Sequence, residues 1–296
     1  MNKTVGKWGP GFEAVLETIV QFSEHVVADV IKSGPSIAFQ CLPSTASVYD
    51  CLTLLGKDRF HRVVILDGAE MSNIVTQSAM ARYLDNLSNT SEVVRTYLKN
   101  SLNDFHLGKI QRVISLNTTA KAVDAFNVIQ RNRVTGVPVV DSNGAIVGNL
   151  SARDIRSLVG SPDKFDRLFD TLSEFLEGIQ EDRLGNSHVH AHSAPTSPLS
   201  SGAFASRPNA PAPSAAPEVV NASWRVPTAF TVDWDDSTGS VLHQLVEKNI
   251  HRAYIVDEAR RPVGVVTLTD IIRVFTEGKH ENPSLHRGSL HAEFKA

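Results

Sequence analysis

The chain has 296 residues, a formal charge of −3 and 42% apolar side chains, which suffices for an ordinary buried core in one large domain or two to three smaller ones. Proteins that track phosphate backbones carry a denser, one-sided basic surface, so the charge speaks against a nucleic-acid partner. No run approaches the ~20 apolar residues of a membrane span, MNKTVGKWGPGFEAV lacks the apolar core of a secretory signal, and Cys41 and Cys51 have no metal-type spacing, all of which points to a reducing compartment, cytosol or nucleus.

In chain order, residues 11–33 read as an amphipathic helix. Phe12, Val15, Leu16, Ile19, Val20 and Val27 recur at helical spacing, and Gly34-Pro35 ends the pattern. Residues 36–88 follow with an extended stretch (IAFQCLP), a helix from Val48 to Lys57, then FHRVVILDGAEMSNIVTQSAMARYL. Residues 102–160 repeat this order with RVISLN, a helix from Ala122 to Arg131, then VTGVPVVDSNGAIVGNLSARDIRSLV. A helical connector spans 161–185, and 186–221 form a Pro/Ser/Ala-rich stretch unable to bury enough apolar surface to order itself. His188, His190 and His192 alternate inside it and read as solvated side chains rather than a metal clip. Residues 222–277 give AFTVDW, a helix from Ser240 to Lys248, then IHRAYIVDEARRPVGVVTLTDIIRVF, before a polar tail over 278–296 with Lys279, His280, His286 and His291.

The second and third copies align without a gap: Val140-Asp141 falls on Val256-Asp257, Val147-Gly148 on Val263-Gly264 and Asp154-Ile155 on Asp270-Ile271. The first needs one deletion in its turn. Each unit is strand–helix–strand–turn–strand–helix, and a lone unit leaves an open sheet, so such repeats must pair to complete a core.

These copies resemble the CBS domain, a βαββα unit that pairs into a Bateman module. With the spacer SLNDFHLGK, and with Ile250-His251-Arg252 and Thr267-Leu268-Thr269-Asp270 in the third copy, the chain is similar to the gamma regulatory subunit of AMP-activated and sucrose-nonfermenting protein kinases. The copies match that family's second, third and fourth repeats; residues 1–35 are too short for a first and read as its remnant or an unrelated cap. The resemblance implies an α/β (α+β) fold of tandem CBS repeats paired into a Bateman module, with an N-terminal helix and a disordered linker. It implies a non-catalytic regulator that binds AMP, ADP or ATP between repeats and has kinase catalytic and scaffold subunits as partners. A free-standing CBS regulator of another enzyme or a transporter, and a scaffold without nucleotide, are the alternatives. Neither a metal nor a cofactor is expected, and no catalytic motif stands in a credible context.

The resemblance also implies site residues, each with a plainer reading. Asp270 would accept from ribose hydroxyls with Thr267 and Thr269 lining the pocket; a helix N-cap would use the same residues. Ser151 and Asp154 hold the same positions in the second copy, and Arg153 would touch phosphate or stand exposed. Thr118, Thr119 and Thr135 would approach phosphate or base, or act as turn residues. His61-Arg62 and His251-Arg252 would meet shared phosphates, or decorate helix C-termini. Ala79 replaces the aspartate in the first copy, so that ribose site should be weak; Arg82 would hold phosphate instead, or stand exposed. The second and third copies are expected to pair, leaving the first to be covered by the N-terminal helix through Phe12, Leu16, Ile19 and Val27, or by a second chain in a homodimer.

Overall fold

The computed structural model describes residues 26–33, 39–57, 60–109, 112–158, 162–187, 229–277 and 294. Helix α1 (Val27–Ser33) precedes the first copy, which runs β1 (Cys41–Pro43), α2 (Val48–Leu55), β2 (Arg62–Asp67), β3 (Glu70–Thr76) and α3 (Gln77–Thr90), followed by α4 (Glu92–Leu98). The second copy is β4 (Leu116–Asn117), α5 (Ala122–Arg131), β5 (Gly136–Val140), β6 (Ile146–Ser151) and a 3₁₀ helix (Ala152–Leu158). A second 3₁₀ helix (Pro162–Phe169) and α6 (Leu172–Ser187) follow it, so α6 runs two residues into the stretch read as linker. The third copy is β7 (Thr231–Val232), α7 (Thr238–Glu247), β8 (Arg252–Val256), β9 (Pro262–Thr267) and α8 (Leu268–Glu277).

Each copy folds the same way: a short parallel pair and an antiparallel hairpin make a three-stranded sheet. The central strand shifts register after Ile65, Val139 and Ile255, the same place in every repeat. The hairpin turns need a left-handed residue, supplied by Gly68, Gly144 and, at a strain that glycine avoids, Arg260 (φ 59°).

The chain divides into two compact units, residues 1–113 with 230–296, and 114–229. In the first unit, copies one and three share one core through their helices. Leu52, Leu55, Ala81 and Leu84 pack with Leu242, Leu245, Ile271, Ile272 and Phe275, all buried. The Tyr97 hydroxyl donates to the Val274 carbonyl at 2.7 Å, tying α4 to α8. The spacer 101–109 is part of this core. Leu102 N–H donates to Asp236 and Thr238 N–H to Asn100, and Phe105 and Leu107 pack against the cluster.

The first copy therefore does not lack a partner within the chain, which corrects the sequence reading. Its helical face fits the third copy's, and the spacer delivers the two together. Of the expected covering stripe only Val27 is described, and it is 75% exposed; Phe12, Leu16 and Ile19 lie outside the described residues. On the first copy's sheet and its approach, Phe39, Met71 and Ile74 are exposed. Phe294, in the stretch expected to be a polar tail, is buried and stands edge-on to Phe275 at 5.8 Å. Most of the expected linker and tail, including His188, His190, His192, Lys279, His280, His286 and His291, lies outside the described residues.

In the second unit, α6 supplies Leu172, Phe175, Leu176 and Ile179 to a core with Ala122, Ala125, Ile129, Val137, Val139, Leu150 and Leu158. Backbone bonds between Leu172 N–H and Ala120, Ala122 N–H and Asp170, and Ser173 N–H and Thr118 fix its start. The second copy thus covers its own helical face with the connector. Among the described residues, no helix is long and apolar enough to cross a membrane, and no metal-holding cluster of His, Cys, Asp and Glu occurs.

Candidate functional site

The register of each hairpin sets equivalent positions beside one another. Arg62 faces Thr76, Gly136 faces Ser151 and Arg252 faces Thr267. From there the chain enters the closing helix, and the residue three further on is Ala79, Asp154 or Asp270.

Both aspartates cap. Asp270 Oδ2 accepts from Thr267 N–H (2.8 Å) and from its hydroxyl (2.7 Å), and Asp154 Oδ2 accepts the same pair from Ser151 at 2.7 Å each. The plainer reading of these residues is thus realised in the fold. A carboxylate has a second oxygen: Oδ1 of Asp270 stands 3.9 Å from an Arg273 Nη1 and keeps acceptor capacity for a diol. In the first copy Thr76 caps alone, accepting from Ala79 N–H at 3.1 Å, and no carboxylate is present.

The polar seam between copies one and three is centred on Gln77, a buried residue that the sequence reading did not single out. Its amide nitrogen donates to Leu55 O (2.9 Å) and to Thr269 Oγ1 (2.8 Å), and its oxygen accepts from His61 Nδ1 at 3.0 Å. Across the seam Ser78 Oγ and His251 Nε2 share a 2.9 Å hydrogen bond. His61, Thr269 and His251 are therefore brought together, by two bonds that each join one copy to the other. The available signal was Gln77 itself, a long polar side chain where the other copies carry Ala152 and Leu268. A crevice beside the seam is lined by Ser78, Ala81, Arg82, Leu245, Val246, Asn249, Ile250 and Leu268. Arg82 stands exposed at it.

The two His-Arg pairs differ in setting. His61 and Arg62 are exposed, whereas His251 and Arg252 are half-buried. Burial pushes the Tyr254 phenol above its ordinary value, while the charge of Arg252 and its hydrogen bond to the phenol oppose the rise. Arg252 is thus anchored on its own strand, and Arg273 donates from Nε to Gly56 O at 3.0 Å.

In the second copy, Thr135, Ser151, Arg153 and Asp154 gather at one end of the β5–β6 hairpin, where Ala152 N–H donates to Thr135 O at 3.0 Å. Thr118 and Thr119 do not join them. The pairing of Asn117 with Val140 places them past the far end of β5, and both hydroxyls donate to Asn117 Oδ1, at 3.3 and 2.9 Å.

Comparison with known proteins agrees with this architecture. The CBS-domain family model matches residues 108–161 and 226–277, the second and third copies. Over 276 residues the chain is 26% identical to an Arabidopsis thaliana protein named SNF1-related protein kinase regulatory subunit gamma-1-like, covering 91% of this chain and 53% of that protein. It is 29% identical over 158 residues to Protein sds23 of Aspergillus niger, covering 52% of this chain and 30% of that one. The chain spans about half the length of the gamma-subunit relatives. Among solved structures it is similar to a Methanocaldococcus jannaschii protein proposed as an archaeal homologue of gamma-AMPK, with TM-score 0.51 and 16% identity over 80% of this chain and 67% of that one. A conserved Pyrococcus horikoshii protein gives TM-score 0.52 and 13% identity over 81% of this chain and 80% of that one, a likeness of fold.

Proposed function

We propose that this chain, whose segments 108–161 and 226–277 are CBS domains, is a non-catalytic, adenine-nucleotide-sensing regulatory subunit, gamma-like, of a serine/threonine protein kinase complex. The observation that carries the reading is the seam in which His61, Gln77 and Ser78 of one copy meet Thr269 and His251 of another. A seam that joins two repeats through hydrogen-bonding side chains can be reset by a ligand that competes for those bonds. Nucleotide phosphates would engage His61, Arg62, His251 and Arg252, and a ribose would donate its hydroxyls to the outer oxygen of Asp270 or of Asp154. AMP, ADP and ATP differ in charge, so each would favour a different arrangement of the seam by differential affinity alone, and kinase catalytic and scaffold subunits would read that arrangement. The setting would be cytosol or nucleus.

Calorimetric titration of the purified chain with AMP, ADP, ATP and S-adenosyl compounds tests this. Saturable binding of the adenine nucleotides is expected, together with co-purification of a kinase catalytic subunit from the source cells. A chain that binds none of them would defeat the sensing role. The match to Protein sds23, which is not named as a kinase subunit, favours a second reading: a free-standing CBS regulator. Nucleotide binding without a kinase in the purified complex would select it.

A further inference from the structure

Equivalent positions in the three copies carry their cations differently. The third copy has His251-Arg252 at the entry to its central strand and Arg273 on its closing helix, and the first has His61-Arg62 and Arg82 in the same places. The second copy has none of these: Thr135-Gly136 and Ser157 stand there instead. Among its own cations, Arg133 stands where the third copy has Asn249, and Arg153 where the third has Thr269.

Two observations give the exchange meaning. Arg133 lies at φ 55°, just past the end of α5, and Asn249 lies at φ 50° in the same position. The left-handed region is strained for an arginine and natural for asparagine or glycine, so arginine here is kept against local preference. Moreover, the third copy's cations are engaged: Arg252 with Tyr254, Arg273 with Gly56 and His251 with Ser78. Arg133 and Arg153 are exposed, and among the described residues neither side chain makes a hydrogen bond or ion pair. Their backbones converge, because Ala152 N–H meets Thr135 O at 3.0 Å. Arg133 is two residues before one partner and Arg153 one residue after the other, and two residues of chain span at most about 7 Å.

We propose that Arg133 and Arg153 form a phosphate clamp at the mouth of the second copy, beside Ser151 and Asp154, and that it takes the outer phosphates of a nucleoside di- or triphosphate. The clamp rests on the nucleotide reading and adds a division of labour. The second copy selects for phosphate number, because two forked guanidinium groups in the open favour a more highly charged chain over a monophosphate. The third copy, with its cations already held by protein groups, discriminates less.

Copy-to-copy substitutions test this with the intact chain. Arg133→Asn and Arg153→Thr install the third copy's residues. The double variant should bind ATP roughly tenfold more weakly, the scale of one or two lost charge contacts near water, with AMP changed by less than about threefold. Arg133→Asn should meanwhile unfold at the same or a higher temperature, since asparagine relieves the left-handed strain; a merely structural arginine would lose stability instead. Raising the salt concentration should narrow the ATP preference of the wild type and not of the double variant. Equal effects on AMP and ATP, or no effect on either while the wild type binds both, overturn the clamp and leave the sensing role standing. No nucleotide binding by the wild type overturns both.

Discussion

Gln77 and Thr269 lie 192 residues apart in the chain and share a hydrogen bond of 2.8 Å. Its counterpart, Ser78 with His251, runs the same way across the seam. Ser78 and Thr269 occupy equivalent positions in their copies, as do His61 and His251. In these bonds the pseudo-symmetry is broken by Gln77, because its equivalent, Leu268, has nothing to donate. One side of the seam is therefore closed by a buried amide, and the other keeps the crevice beside Arg82.

Gln77→Leu should lower unfolding stability by about 1–3 kcal/mol, because Leu55 O and His61 Nδ1 lose a partner in or near the core while leucine matches the burial of Leu268. Urea unfolding gives the value. A neutral result would mean that solvent replaces the amide without cost, and that the seam is weaker than its geometry.

Close backbone approach governs the next expectation. A Cβ on Gly264 would meet Gly108 O at 2.7 Å and Ile255 Cδ1 at 3.0 Å. The spacer backbone cannot move without disturbing Leu102 and Phe105, so Gly264→Ala should cost about 1–3 kcal/mol. At Gly68 nothing lies within 4 Å and only the positive φ of 61° opposes a side chain. Gly68→Ala should cost about 1–2 kcal/mol, through the backbone alone. Thermal unfolding of the two variants gives both losses, and a loss below about 1 kcal/mol at Gly264 would count against the tight spacer.

Asp270 is asked to cap and to bind, and two substitutions separate the roles. Asp270→Ala removes both acceptors and should lose about 1 kcal/mol of stability through the cap, with AMP affinity falling by about 1–3 kcal/mol. Asparagine has a single oxygen. If that oxygen keeps the bonds from Thr267, the amide nitrogen is left facing the ligand and cannot accept from a ribose. Asp270→Asn should therefore recover most of the stability and little of the affinity. Full affinity in Asp270→Asn, measured by calorimetry, would assign the aspartate to the cap alone.

The repeat was legible because its signals are local. Apolar periodicity located α2, α5 and α7 within two residues, and the gapless alignment of the second and third copies located their hairpins. Which copies share a core was not legible, since every copy presents a similar apolar helical face. The choice is made by the spacer, through Leu102 and Phe105, and by α6, whose Phe175 and Leu176 cover the second copy. The caps of Asp154 and Asp270 were readable from Ser-x-x-Asp and Thr-x-x-Asp alone. The seam was not, because Gln77 gains its meaning from Thr269, and no local pattern connects them.

The docking of α6 in the second unit should depend on acid. Asp182 accepts from Lys164 Nζ at 3.0 Å and from an Arg167 Nη1 at 2.7 Å, joining α6 to the 3₁₀ helix Pro162–Phe169. Partial burial works to raise its carboxyl; the hydrogen bonds and charges of the two cations outweigh this and hold it below the ordinary value of 3.8. A carboxylate with a lowered value in the folded state binds fewer protons folded than unfolded. Its stabilisation is therefore complete well above pH 4 and is lost as the pH falls through the ordinary value toward the lower, folded one. The three side chains are 26–32% exposed, so water screens the pair and the contribution should be about 1 kcal/mol. Asp182→Asn should remove that amount at neutral pH and flatten the acid limb of the stability profile between about pH 5 and pH 2. Hydrogen exchange of the Leu172–Ile179 amides, followed against pH, gives the reading. Identical profiles for wild type and variant would show that Asp182 does not hold the helix, leaving Leu172, Phe175, Leu176 and Ile179 to do so by burial alone.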